Sequence, residues 1–282
     1  MPIENVSDTA LWVAYYRAME TDRPDAIFRD PFARRLAGAR GEEIVNTMKR
    51  GRSMAWAMIV RTAVYDEIIM SVIANKHVDT VLNIAAGLDA RPWRLALPPD
   101  LRWVDVDLPE ILKYKTETLK DEKPRCRYEA VAADMTDAEA RRSLFSRIGA
   151  ESRHTLIVTE GLLIYLTPEQ VASLARDLAQ PAAFRWWLID LASPRLLKLM
   201  LRTWGTDLEK GNAPFKFAPA EGTDFFPKCG WHEAEYRSAM EEARRLNREM
   251  AMMPFWRFLM NFYPAKTRKE FGRMSAFVLL DR

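Results

Sequence analysis

Residues Val81 to Arg94, VLNIAAGLDARPWR, decide the fold. A β-branched and apolar run from Thr80 to Ala85 has the length of a strand, and it stops at Gly87. Glycine there lets the backbone turn sharply and come close to a ligand with no side chain in the way. Arg91-Pro92-Trp93-Arg94 then opens a new segment. The turn has one glycine, so the GxGxxG dinucleotide pattern is absent, and no glycine-lysine-threonine ending marks a P-loop. A plain strand-to-helix turn is the competing reading of this stretch taken alone.

Downstream the same alternation repeats. Leu101–Val106 ends at Asp107, Tyr128–Ala133 at Asp134 and Thr155–Thr159 at Glu160; Phe184–Leu191 is a fifth run. Helical stretches lie between them at Pro109–Leu119, Asp137–Ile148 and Pro168–Ala179, with Pro109 and Pro168 where a first turn tolerates proline. Strands alternating with such helices predict an α/β fold with a doubly wound parallel sheet and right-handed crossovers. Met274–Leu280 reads as a final strand returning after a long connection, an antiparallel addition at the sheet edge. Trp231–Arg237 reads as another strand and Ser238–Arg248 as a helix. Upstream, Ala10–Met19 and Met54–Ala74 are amphipathic helices joined through a turn-rich link at Asp22–Pro31. The organisation expected is an N-terminal helical lid over residues 1–78 and a core over 79–282, with an insertion near 194–230 that is helical and basic from Pro194 to Lys216.

Doubly wound sheets bind ligands beyond the carboxyl ends of their strands, so the strand-end residues are the candidates. Asp107 lies twenty residues after Gly87, the spacing at which a carboxylate accepts hydrogen bonds from two ribose hydroxyls; a first-turn acid before Pro109 is the simpler alternative. Asp105, two residues earlier, is expected on the other side. Asp134 could accept from an adenine amino group with Met135 on the ring face, or merely cap the next helix. Glu160, followed by Gly161, suits a cationic amino group or a sulfonium. Tyr165 is a candidate near the site, or a core tyrosine.

Composition narrows the class. With 49% apolar residues and 29% charged, the chain can bury a sizeable core. A net charge of +3 with acids mixed throughout gives no footprint for nucleic acid. Cys126 and Cys229 lack metal-ligand spacing and read as reduced thiols of a cytoplasmic protein; no metal site is expected. No leader is apparent and no apolar run is long enough to span a bilayer, so no membrane partner is expected.

Taken together, VLNIAAGLDARPWRL, RWVDVDLPEILKYK, AADM and TEGLLIYL resemble the leucine carboxyl methyltransferase-like O-methyltransferases. SDTALWVAYYRAMETDRPDAIFRDPFARRLAG is similar to their bacterial branch, which includes polyketide carboxyl methyltransferases, and FFPKCGWHEAEYRS to a late family segment. The resemblance implies a Rossmann-like sheet, mostly parallel with a closing antiparallel strand, and S-adenosyl-L-methionine as methyl donor. It implies Ala85, Ala86 and Gly87 along the methionine part, Asp107 with Leu108 at the ribose, Asp134 and Met135 at the adenine, and Glu160 with Gly161 near the amino acid end. Arg61, in IVRTAVYDE, matches a family arginine near the donor carboxylate, which a guanidinium grips through two parallel hydrogen bonds. The family usually has glycine where this chain has Ala85.

The reaction so implied needs alignment and exclusion of water more than acid–base help. A carboxylate acceptor is already ionised and needs no base, whereas a phenol benefits from one. None of His77, His154 and His232 sits at a strand end facing the site, which favours a carboxylate (or hydroxyl) of a small hydrophobic or aromatic molecule. Tyr15, Tyr16, Trp204, Phe215 and Phe217 are candidate lining residues, and Arg17 and Arg195 candidate partners for an acceptor carboxylate. Two rivals share parts of the pattern: a nicotinamide-dependent oxidoreductase, and a non-enzymatic binding protein on a degenerate methyltransferase fold.

Overall fold

The structure is a computed structural model that describes residues 6–48, 51–210, 214–250, 252–260, 262–264 and 271–282. In chain order the first half runs α1 (Val6–Thr21), α2 (Ala33–Thr47), α3 (Ala55–Lys76), β1 (Thr80–Ile84), the single turn α4 (Arg91–Arg94), β2 (Arg102–Asp107), α5 (Pro109–Thr118), β3 (Arg127–Ala132) and α6 (Ala138–Ala150). The second half runs β4 (Thr155–Thr159), α7 (Pro168–Leu178), β5 (Phe184–Ala192), α8 (Pro194–Lys210), β6 (His232–Ser238), α9 (Ala239–Arg245), α10 (Met253–Met260) and β7 (Ser275–Asp281).

One seven-stranded sheet results, in the order β3-β2-β1-β4-β5-β7-β6. β1 and β4 are buried at every position, as strands covered on both faces must be. β1 pairs parallel with β2 on one side and β4 on the other, so the strand order reverses between β1 and β4. That switch point opens a crevice at the carboxyl ends of the strands. Helices α6 and α7 cover one face, α3 and α9 the other. Local signals start the crossovers: Thr167 accepts from the Gln170 N–H while the Gln170 side chain accepts from the Thr167 N–H, a capping box ahead of Pro168.

Three expectations need correction. β7 does not close the edge but lies between β5 and β6, antiparallel to both. Ala276 to Leu280 are all buried and need neighbours on both sides, whereas β6 carries His232, Glu233 and Glu235 and makes the charged edge that resists further pairing. The basic helix ends at Lys210 rather than Lys216, because the Lys216 and Phe217 N–H groups both donate to the Ile164 carbonyl across a loop. A second N-terminal helix, α2, follows the turn-rich link; Gly38 at φ +58° breaks it, which hid its periodicity.

The N-terminal helices close over the crevice. α1 packs along α2, and both meet Leu88, Ala90, Trp93 and Ile111 from the core. Behind them Asp105 and Lys115, both fully buried, pair at 2.6 Å, and Asp105 also accepts from Asn83 and Trp103. This network ties β1, β2 and α5 together and leaves Asp105 no part in the crevice.

Candidate functional site

A cavity of about 510 Å³ lies at the carboxyl ends of β1, β2, β4 and β5, within the size range of small-molecule sites. Its polar floor comes from the strand ends and its apolar walls from α1, α3, α8 and the approach to α10.

The β1 turn forms one side. Ala85 has φ +55° and Gly87 φ +51°, both left-handed. Only glycine takes that region without steric cost, which explains the family's preference at the first position. The turn brings the Gly87 N–H to Asp107 Oδ2 at 2.6 Å, and Oδ1 accepts from the Leu108 N–H at 2.7 Å. A carboxylate has about four lone-pair sites, so two remain on a group that lines the cavity. Burial raises the Asp107 pKa, against the opposing pull of those two N–H groups.

The opposite side is an ionic cluster drawn from four elements. Glu160 accepts from Arg61 Nε at 3.0 Å and from Arg91 Nη1 at 2.7 Å. Arg91 also reaches Asp66 at 2.6 Å and Asp89 at 2.8 Å, and Arg61 reaches Asp190 at 3.2 Å. The other oxygen of Asp190 accepts from the Gly161 N–H at 2.7 Å. Burial disfavours the charge of Glu160, but Arg91 and Arg61 outweigh it and hold its carboxyl below the usual range. Asp89 is held well below its usual range: burial opposes its charge, and Arg91, Lys115 and Arg94 overcome that. Gly161 has φ +70°, and a Cβ on it would stand 2.9 Å from Arg61 Nη1, so glycine is what lets the guanidinium lie across this turn.

Arg61, Ala85, Ala86, Gly87, Asp107, Leu108, Glu160, Gly161 and Tyr165 all line this one cavity. Asp134 and Met135 do not. Asp134 is exposed and accepts from the Thr136 N–H and hydroxyl, and Met135 packs against the core beside α6 and α7. Tyr165 stacks near Phe215 with its hydroxyl pKa pushed up to about 12 by burial, so it stays a neutral phenol. Of the other aromatics, Tyr16, Phe215 and Phe217 line the cavity, Tyr15 turns away to donate to Glu42, and the Trp204 side chain lies outside the described residues. Arg17 lines the cavity but is held by Asp30 at 2.8 Å and by the Leu88 carbonyl, and Arg195 is exposed.

Sequence reasoning missed Asp190, Asp89 and Arg91. Asp190 left a signal, a lone acid inside the apolar run of β5. It also missed the methionines of the walls, eight of which line the cavity. Among the described residues, three guanidinium groups and four carboxylates line it, one negative charge in excess. Asp30, Asp66 and Arg94, just behind the wall, deepen that excess. No group of three or more His, Cys, Asp or Glu among the described residues is arranged to hold a metal ion.

Comparison with known proteins gives a consistent family. A Streptomyces avermitilis protein bearing the name "Putative S-adenosyl-L-methionine-dependent methyltransferase" is 28% identical over 259 residues, 87% of this chain and 89% of that protein. A Saccharopolyspora erythraea protein of the same name is 34% identical over 246 residues, 81% of this chain and 84% of the relative. The fold is shared with a solved DUF574 family protein from Streptomyces avermitilis, with TM-score 0.61 at 13% identity, covering 95% of this chain and 96% of that one. The family model for leucine carboxyl methyltransferase matches residues 10–179, more than half of the sequence and all of the strand ends that build the cavity floor up to Gly161. The chain therefore belongs to the leucine carboxyl methyltransferase family.

Proposed function

We propose that this protein transfers the S-methyl group of S-adenosyl-L-methionine to an oxygen, most simply a carboxylate oxygen, of a small molecule with a hydrophobic or aromatic body. The observation that carries the reading is the charge of the cavity. Its one-charge negative excess complements a donor whose sulfonium leaves it singly positive overall. The bound donor would supply a methyl group on a sulfonium, an activated carbon that needs no further activation by the protein.

The chain's own residues then have three tasks. Asp107 offers its two remaining acceptor positions to a vicinal diol, held in place by the Gly87 and Leu108 N–H groups. Arg61 offers what its bonds to Glu160 and Asp190 leave of its guanidinium to a carboxylate, while Glu160 and Asp190 keep an ammonium or sulfonium favourable nearby. Ala85, Ala86 and Gly87 present backbone at close range, and Asp134 with Met135 are assigned to the adenine end, beyond the cavity wall. Residues 1–78 act as a lid on the core of 79–282, and their apolar side chains exclude water from the transfer.

A carboxylate acceptor is favoured over a hydroxyl because none of the three histidines lines the cavity and Tyr165 is held protonated. We place the reaction in the cytoplasm with no nucleic acid partner. Isothermal titration with the donor and with S-adenosylhomocysteine tests the reading. Both should bind one to one, and Arg61→Ala should weaken both. Absence of binding by either ligand overturns the proposal.

A further inference from the structure

Among the described residues, large exposed apolar side chains concentrate on two segments. Of the ten exposed large hydrophobics among the described residues, eight fall on α8 or on the α10 segment between Met252 and Tyr263. Phe255, Phe258 and Phe262 follow an i, i+3, i+7 spacing and are 51%, 60% and 74% exposed, with Trp256 and Tyr263 beside them. Met253, the first residue of α10, is buried and lines the cavity. Leu199 on α8 both lines the cavity and is 54% exposed, so it marks the mouth. The aromatic face thus begins beside Met253, at the apolar end of the site.

Charge selects what covers this face. The described side chains of α8, residues 194–203, include three basic groups and no acid. Arg195, Lys198 and Arg202 are exposed on α8. Short segments rich in Phe, Trp and Tyr and flanked by Lys and Arg are stable at the boundary between acyl chains and anionic headgroups. The walls inside the mouth point the same way. Methionines such as Met54, Met58, Met200, Met240 and Met274 line the cavity, and unbranched thioether side chains adapt to flexible apolar ligands.

We propose that the α8–α10 rim lies on an anionic lipid surface, from which an apolar acceptor enters the cavity. The part concerning the acceptor rests on the methyl transfer proposed above. No helix among the described residues is long and apolar enough to cross a membrane, and a surface-lying helix needs no such length. The inference replaces the expectation from sequence that membranes play no part.

Vesicle co-sedimentation tests it, with phosphatidylcholine alone and with equal parts phosphatidylcholine and phosphatidylglycerol. The parent should sediment with the mixed vesicles only, and less so as salt rises. The triple variant Phe255→Ser, Trp256→Ser, Phe258→Ser should lose about tenfold or more in partitioning while keeping its affinity for S-adenosylhomocysteine. No sedimentation at low salt, or equal sedimentation of the variant, overturns the inference. So does a concentration-dependent dimer in light scattering that the variant abolishes without vesicle binding, since a second copy would then cover the face. Failure of the parent to bind S-adenosylhomocysteine would refute the methyltransferase reading instead, and the vesicle result is read independently of it.

Discussion

Replacing Asp107 by asparagine separates two jobs that one carboxylate holds. Its two oxygens accept from the Gly87 N–H at 2.6 Å and the Leu108 N–H at 2.7 Å, one each. Asparagine keeps one oxygen, so whichever way its amide turns, an NH₂ group faces one of those N–H groups. A hydrogen bond to a charged acceptor contributes about 1.5–3 kcal/mol; burial opposes the carboxylate's charge here, so a loss of about 2 kcal/mol is expected. For a chain of this size that lowers Tm by roughly 4–8 °C. The remaining acceptor positions face the cavity, and losing their bonds to a diol should weaken S-adenosylhomocysteine by about 2–3 kcal/mol, or roughly 30- to 150-fold in Kd. Calorimetric titration read beside differential scanning fluorimetry gives both quantities. A Kd unchanged from the parent alongside a lower Tm would make Asp107 a purely structural brace and sink the assignment. Affinity of the parent should also fall on acidification at a higher pH than an ordinary aspartate would produce, because burial raises this pKa, and the asparagine variant should lack that dependence.

Glu160→Gln should cost about 2–3 kcal/mol, less than stripping a buried charge of every partner, because Arg61 keeps Asp190 and Arg91 keeps Asp66 and Asp89. The folded-state pKa of Glu160 is lowered, so its stabilisation is complete above the ordinary carboxylate value of about 4.3 and is lost as pH falls through the lowered value. Urea denaturation between neutral and acid pH should therefore show a shallower acid limb in the variant, and parallel curves would contradict this. Gly161→Ala puts a methyl 2.9 Å from Arg61 Nη1 at φ +70°, so we expect about 1–2 kcal/mol of backbone strain and about tenfold weaker donor binding; parent-like affinity would remove Arg61 from the donor site. Ala85→Gly relieves a left-handed alanine at φ +55°. Set against the greater chain entropy of glycine, the gain is up to about 1 kcal/mol in chemical denaturation with donor binding retained, and a clear destabilisation would show that the methyl is needed for packing.

The alternation of strands and helices, the parallel sheet and the carboxylates at three strand ends were legible in sequence because each depends on a few neighbouring residues. A run such as Thr155–Thr159 and a helix start such as Pro168 are set by backbone hydrogen bonding and side-chain period within about ten residues. The turn at Gly87 and the position of Asp107 twenty residues later follow from the same local rules. What tertiary structure alone decided depends on contacts between distant segments. Residues 61, 91, 160 and 190 become one ionic cluster only once β1, β4 and β5 are in register beneath α3. β7 is driven between β5 and β6 because its five buried side chains need cover that no local pattern specifies. Asp134, equal in sequence to Asp107 as an acid closing a strand, turns outward and accepts from the Thr136 N–H and hydroxyl, leaving the cap of α6 to Asp137. A strand-end acid bonds to whichever donors the fold brings within reach: for Asp107 the glycine turn of a neighbouring strand, for Asp134 only a threonine two residues on.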